Sequence, residues 1–438
     1  MYAYSSLGEL AGWFIGWNLT LEYSFAAAAI AGTWSTSMAS FFKNLNVNFP
    51  KWLYFVETNT GNVFQINLLG FLLVLLVGIF VMRGLKSGSG FTVFITCLNL
   101  GIIVFIIVAG AVFVKSENIT SNFVPFGFDG IIQGTTFMFF AFVGFDTVCT
   151  LTADAKNAKR DIPIAVIATI GTATILYVAV GFVLNGMVPY YEISKESPLA
   201  SAFVSVEAGW ASHIVSICAL TTMFATLFAC LLGQPKIFAS MALDGLLPKN
   251  FATMTKAGIP VGSTIFTIIL TALLTLCINV DSLMDMTSVG TLFGFASISA
   301  GLMVLRFQGH PSLGLIGPLV VLVLFIGSLG TSFLVVYGVH MGIYISAALV
   351  FVLCPFLLLN FFFFKFKSDL VCKTPNGFVC PLMPILPCFS IIANNYVLCE
   401  LSITSIIQFL IWTAIGFALY FAFGIRKSEL RKEEADIE

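Results

Sequence analysis

The sequence predicts an all-α polytopic membrane protein with about twelve transmembrane helices. Three observations carry that reading. The 438 residues are 59% hydrophobic and 9% charged, where a soluble domain would carry about 25% charge. Apolar stretches of spanning length, roughly 18–25 residues, recur twelve times along the chain. The Lys and Arg residues sort to alternate loops, as the positive-inside rule requires.

The spans are taken in order. The first, about Leu7–Thr36, is apolar but carries Glu22 near its middle. The second and third, Ile66–Met82 and Phe91–Val114, are parted by Arg83, Lys86 and the short loop Gly88–Gly90. The fourth, Gly130–Val148, runs apolar from Ile131 to Phe145, with Gly144 to loosen it and the carboxylate of Asp146 just beyond. A basic loop with Lys156, Lys159 and Arg160 leads past Pro163 into the fifth, Ile162–Met187. Ile214–Gly233, Val261–Val280, Leu283–Leu305 and Leu315–Val336 follow, then Gly342–Phe364, Leu382–Leu398 and Ile403–Phe423.

With the N-terminus in the cytosol, the inside loops hold sixteen of the 20 Lys and Arg. Only Lys43, Lys51, Lys115 and Lys195 fall outside. A missed span would scramble this sorting, so both termini are expected in the cytosol. Asn118-Ile119-Thr120 is a glycosylation sequon in an outside loop, whereas Asn18-Leu19-Thr20 lies inside a span and is expected to be silent. Met1 to Leu7 lacks the basic start of a cleavable signal peptide.

Several classes of function are disfavoured. The net charge of −1 argues against a nucleic-acid partner. His213, His310 and His340 do not approach metal-ligand spacing, and no nucleophile elbow, HExxH or phosphate-cradling loop occurs. No enzyme activity and no cofactor are expected. The ten Cys form no CxxC pair and read as small apolar residues.

The informative polar groups lie within the spans. A mid-membrane carboxylate is costly and usually functional. Asn18, Glu22, Ala26, Ala29 and Thr33 share one helical face, and small residues on a stripe mark a protein-packed face. Glu22 therefore points into the bundle, either toward the cationic end of a substrate or as a buried structural carboxylate. At Phe140, Ala141, Phe142, Val143 and Gly144 the fourth span reads either as unwound backbone or as an ordinary Phe-rich helix. Unwound backbone at membrane depth must line a cavity or be buried in protein, and in secondary transporters such broken helices form the substrate site. Free carbonyls there would accept from an α-ammonium group. Asp146 either joins that site or caps a neighbouring helix. Asn99 shares a stripe with Thr92 and Thr96 and reads from the residues as a helix-to-helix hydrogen bond.

Three passages in order resemble one family. FFAFVGFDTVCTLTADAKNAKRDIPIAV (from Phe139) is similar to the sixth helix and following loop of amino acid–polyamine–organocation transporters. GQPKIFASMALDGLLPKNFA (Gly233 to Ala252) resembles their eighth-helix exit and cytosolic helix, with Lys236 in place of the usual Arg and Asp244-Gly245 in the pattern. The C-terminal stretch from Gly377 to Glu429 resembles the two-helix module of the cationic amino acid transporter branch. GELAGWFIGWNLTLEY (Gly8–Tyr23) and DMTSVGTLFGFASISAGLMVLRF (Asp285–Phe307) add to the match.

The resemblance implies a LeuT-type core of two inverted five-helix repeats, followed by C-terminal helices. MYAYSSLGEL resembles the run into the family's third helix, so the first two family helices are expected to be missing and the first repeat incomplete. Residues 1–310 would form the permease core, 311–374 two spans and a loop, 375–425 the C-terminal module and 426–438 a tail. The implied activity is transport of amino acids, basic ones foremost (arginine, lysine, ornithine), by alternating access and facilitated diffusion, in the plasma membrane. A non-transporting short or regulatory form, and a neutral amino acid or polyamine carrier, are the alternatives. In proton-coupled bacterial relatives a Lys stands near Asn99, and an Asn there implies transport without proton coupling. The implied partners are a small-molecule amino acid and the lipid bilayer.

Overall fold

The computed structural model describes residues 8–54, 56–57, 65–84, 89–120, 124–145, 148, 157–194, 197–255, 258–307, 313–337, 342–366 and 380–424. The helices are α1 (Glu9–Thr20), α2 (Ala26–Asn44), α3 (Leu68–Met82), α4 (Ser89–Ala111), α5 (Gly127–Phe139), α6 (Ala158–Met187) and α7 (Gly209–Leu243). Then come α8 (Val261–Cys277), α9 (Val280–Phe307), α10 (Ile316–Val336), α11 (Gly342–Lys365), α12 (Ile385–Glu400) and α13 (Ile403–Leu419). Helix α1 passes through a π-helical turn, Leu21–Phe25, into α2 without a break. Each of the twelve predicted spans therefore contains a helix, the fourth only as far as Phe139. A two-residue hairpin, Val56–Glu57 against Gln65–Ile66, sits in the loop after α2.

Five of these helices have the length and apolar character of membrane spans. Those at Ala158–Met187, Gly209–Leu243, Val280–Phe307, Ile316–Val336 and Ile403–Gly424 are each long and apolar enough to cross a bilayer. Their outward faces are apolar too. On α6, Ile164, Ile167, Ile175, Val178 and Phe182 are all exposed. A helix apolar on its outer as well as its inner face is solvated by lipid.

Helices α2 and α7 outrun the sequence boundaries furthest at their C-terminal ends. Helix α2 continues to Asn44 and takes Lys43 into its last turn. Helix α7 passes through Pro235 and Lys236 to Leu243, so no separate cytosolic helix begins there. At 35 residues it is about 52 Å long, well beyond the roughly 30 Å hydrocarbon layer. Its end is a Schellman cap. Gly245 takes φ +80°, Leu246 N donates to Met241 O and Gly245 N to Ala242 O. The Asp-Gly pair in that passage thus works as a helix stop.

The chain divides into two compact units. The first comprises Met1–Glu22, Ile132–Ile167 and Asp285–Arg426. Its core joins Met303 and Phe307 of α9, Leu324 of α10, Leu359 of α11 and Ile391 of α12. Helix α10 approaches α9 closely at Gly317, where a Cβ would stand 2.3 Å from the Phe307 ring. Asn395 of α12 donates to Phe325 O (3.1 Å) and Ser328 Oγ (2.7 Å) of α10, a polar clasp within apolar packing. Helix α13 joins α1: the indole N–H groups of Trp13 and Trp17 donate to the carbonyls of Gly416 and Trp412, both at 3.0 Å.

The second unit comprises Tyr23–Ile131, Ala168–Met284 and Lys427–Glu438. Ala27 and Ala31 of α2 let Val74 and Val77 of α3 and Leu227 and Leu231 of α7 pack tightly around them. Asn67 caps α3 by accepting from Gly70 N (2.9 Å), while its amide donates to Ser35 Oγ of α2 (2.6 Å).

Candidate functional site

Glu22 lies in the π-helical turn, and it is buried, with 6% of its surface exposed. A π turn carries one residue more than an α turn and is frequent at functional sites. Its widened ladder leaves carbonyl oxygens with accepting capacity to spare. Leu21 O, in this turn, takes a hydrogen bond from Thr287 Oγ1 of α9 at 3.1 Å. One turn along α9, Gly290 permits the close approach, since a Cβ there would lie 2.9 Å from Leu21 Cβ. Asn18, four residues before Glu22, is 4% exposed, and its amide has no hydrogen-bond partner among the described residues.

The fourth span breaks where the sequence permits it. Helix α5 ends at Phe139, and Phe140–Phe142 tighten into a 3₁₀ turn. Val143 is extended, with φ −61° and ψ 135°. Gly144 takes φ +111°, a left-handed conformation costly for any residue with a side chain. Rings on both sides of the break hold it to one residue of α9. Phe139 and Phe145 pack on Phe295 with centroids 6.2 and 5.3 Å away. Asp146 lies outside the described residues.

Helix α9 is therefore the common strut within this unit. It touches the Glu22 turn through Thr287 and Gly290, and the broken segment through Phe295. The carboxylate is a buried acceptor, and at the break the backbone leaves the α-helical ladder. Thr287, Gly290 and Phe295 did not stand out in the sequence. Their signal was present, because Thr287, Gly290, Thr291 and Gly294 recur at helical spacing in an apolar run.

Asn99 belongs to the other unit. Thr222 of α7 donates its hydroxyl to Asn99 Oδ1 and also to Cys218 O, so Asn99 links α4 to α7. Asn118 sits in a short helix, Ser116–Thr120, and its Nδ2 donates to Gly186 O at the end of α6 (2.9 Å). The described cysteines are all free thiols.

The amino acid permease family model matches residues 1–379, and the model for the C-terminus of these permeases matches 378–428. The chain belongs to the amino acid permease family. Members of this family are transporters, not enzymes. The permease is similar to "Cationic amino acid transporter 4, vacuolar" of Arabidopsis thaliana, 36% identical over 70% of this chain and 52% of the relative. It is 30% identical to human "Cationic amino acid transporter 4" over 99% of this chain and 78% of that protein. "Branched-chain amino acid permease BcaP" of Bacillus subtilis is 26% identical over 98% of this chain and 80% of the relative. The permease thus spans about half the length of the plant relative it matches.

Proposed function

We propose that this permease carries amino acids across a membrane by alternating access, with basic amino acids as its preferred substrates. The observation that carries the reading is Glu22, a carboxylate buried at mid-span in a π turn. A carboxylate within a membrane span is costly and usually functional, and a guanidinium or ammonium head is the matching substrate group. The backbone of Phe140–Gly144, where the helix gives way to a 3₁₀ turn and an extended residue, would take the α-ammonium, with Asn18 as a further polar contact beside Glu22. Asp146 would join the same site from beyond the break. Two relatives named as cationic amino acid transporters support the choice.

A second reading, a neutral amino acid carrier, is favoured by the likeness to a branched-chain amino acid permease. Glu22 would then be structural. Uptake of radiolabelled arginine, lysine and leucine by cells expressing the full chain separates the two. The first reading expects saturable arginine uptake, blocked by lysine and spared by leucine. Leucine uptake indifferent to excess arginine supports the second.

The sorting of Lys and Arg supports an orientation with both termini in the cytosol. The family resemblance supports the plasma membrane, and the plant relative's name, which says vacuolar, supports an internal membrane. Imaging of a tagged full-length protein decides between them. The Asn99–Thr222 hydrogen bond supports a packing role for Asn99 and transport by facilitated diffusion.

A further inference from the structure

We infer that Thr287 is a positioning residue for substrate recognition, acting through the peptide plane that carries Glu22. The inference rests on the reading of Glu22 given above. The carbonyl of Leu21 and the amide nitrogen of Glu22 belong to one peptide group, which is planar and resists twisting. Whatever fixes Leu21 O fixes the plane from which Glu22 departs. Thr287 Oγ1 donates to that oxygen at 3.1 Å, within a fully buried setting.

Thr287 makes a hydrogen bond that reaches beyond its own helix. A buried helical threonine commonly returns its hydroxyl to the carbonyl four residues back. Thr291 does so toward Thr287 O (2.9 Å), as do Thr264, Thr275 and Thr331 on other helices. Thr287 sends its hydroxyl to another segment of chain, into the one turn between α1 and α2 whose ladder is widened. Gly290 completes the grip by bringing α9 against the Leu21 side chain. A π turn has poorer hydrogen-bond geometry than the α turns around it. Without the external donor, the peptide plane is free to rock and Glu22 with it. The contact thus orients the carboxylate toward a cationic head without touching substrate.

The test compares Thr287→Val, Thr287→Ser, Glu22→Gln and the Thr287→Val/Glu22→Gln double variant in cells expressing the full chain. Arginine KM and maximal rate and leucine uptake at one fixed concentration are measured, with rates normalised to surface protein. Thr287→Val keeps shape and loses the donor, so arginine KM is expected to rise about three- to tenfold, the worth of one hydrogen bond. Residual leucine uptake at one fixed concentration is expected to stay within about twofold, and Thr287→Ser to restore arginine KM. In the Glu22→Gln background, Thr287→Val should add nothing further, because coupled residues are not additive. If Thr287→Val does not reach the membrane, Thr287→Cys, of similar size but a weak donor, carries the same expectation. Glu22→Gln with unchanged arginine KM removes the reading beneath the inference, and the inference with it. A large Glu22→Gln effect beside a silent Thr287→Val, or an equal Thr287→Val effect in both backgrounds, overturns the positioning role alone.

Discussion

Trp17 and Trp412 stack with ring centroids 4.5 Å apart, and the Trp17 indole N–H donates to the Trp412 carbonyl at 3.0 Å. They lie 395 residues apart and join the first helix of the chain to its last long one. Trp13 repeats the contact one turn away on Gly416 O, and Tyr420 closes it by donating to Glu9 Oε1 at 3.0 Å. In lipid, helix association rests on close packing and interhelical hydrogen bonds. This seam supplies both, and it holds the segment that leads into Glu22.

Gly416 is the vulnerable point of that seam. A Cβ there would stand 2.4 Å from Trp17 Cδ1. Gly416→Ala is expected to cost about 1–3 kcal/mol through overpacking. Trp17→Phe, which keeps most of the area and loses the donor, is expected to cost about 1 kcal/mol. Thermal unfolding in detergent, followed by tryptophan fluorescence, should rank Gly416→Ala below Trp17→Phe and both below the parent.

Gly144 offers a contrasting glycine. Nothing lies within 4 Å of where its Cβ would be, yet its φ is +111°. Substitution therefore meets no clash, and its cost is conformational, about 1–3 kcal/mol. Gly144→Ala should reshape the break between Phe142 and Phe145 and lower the maximal rate of arginine uptake at least tenfold, an order-of-magnitude expectation from that strain. Surface abundance near the parent level with intact uptake would show that the break is not used.

Asn99 should prove replaceable in coupling. Its Oδ1 accepts from Thr222, which also donates to Cys218 O. Losing one interhelical bond of this kind costs about 0.6 kcal/mol in a membrane. Asn99→Leu should lower stability slightly and leave arginine transport insensitive to an imposed pH gradient, as in the parent. Uptake in proteoliposomes with and without the gradient measures this, and gradient-driven accumulation would contradict it.

Asn118 should be the glycan acceptor. Its Nδ2 has two hydrogens and donates one to Gly186 O, so a glycan linkage and that bond are compatible. Asn18 is buried and should stay bare. A mobility shift removed by glycosidase and absent in Asn118→Gln checks the site and, with it, the outward position of this loop.

Much of this fold was legible because membrane spans announce themselves locally. Runs of apolar residues located the helical segments, and Gly144 marked the break in the fourth. What escaped was of two kinds. The run-on of α7 was hidden because Pro235 and Lys236 suggest an end, whereas a long helix accommodates both once past the hydrocarbon layer. The π turn at Leu21–Phe25 was hidden because the residues that contact it, Thr287 and Gly290, lie far away in the sequence. Periodicity reports which face a residue is on. It does not report which distant hydroxyl completes a backbone carbonyl.

The central claim is that Glu22 in its π turn selects the cationic end of the substrate. The most direct measurement is the ratio of arginine to leucine uptake, per surface molecule, in the parent and in Glu22→Gln. The account predicts a parent ratio well above one that falls by about tenfold or more in Glu22→Gln, the loss of a charge-assisted bond, with leucine uptake little changed. An unchanged ratio at normal abundance would contradict it and leave Glu22 as a structural carboxylate.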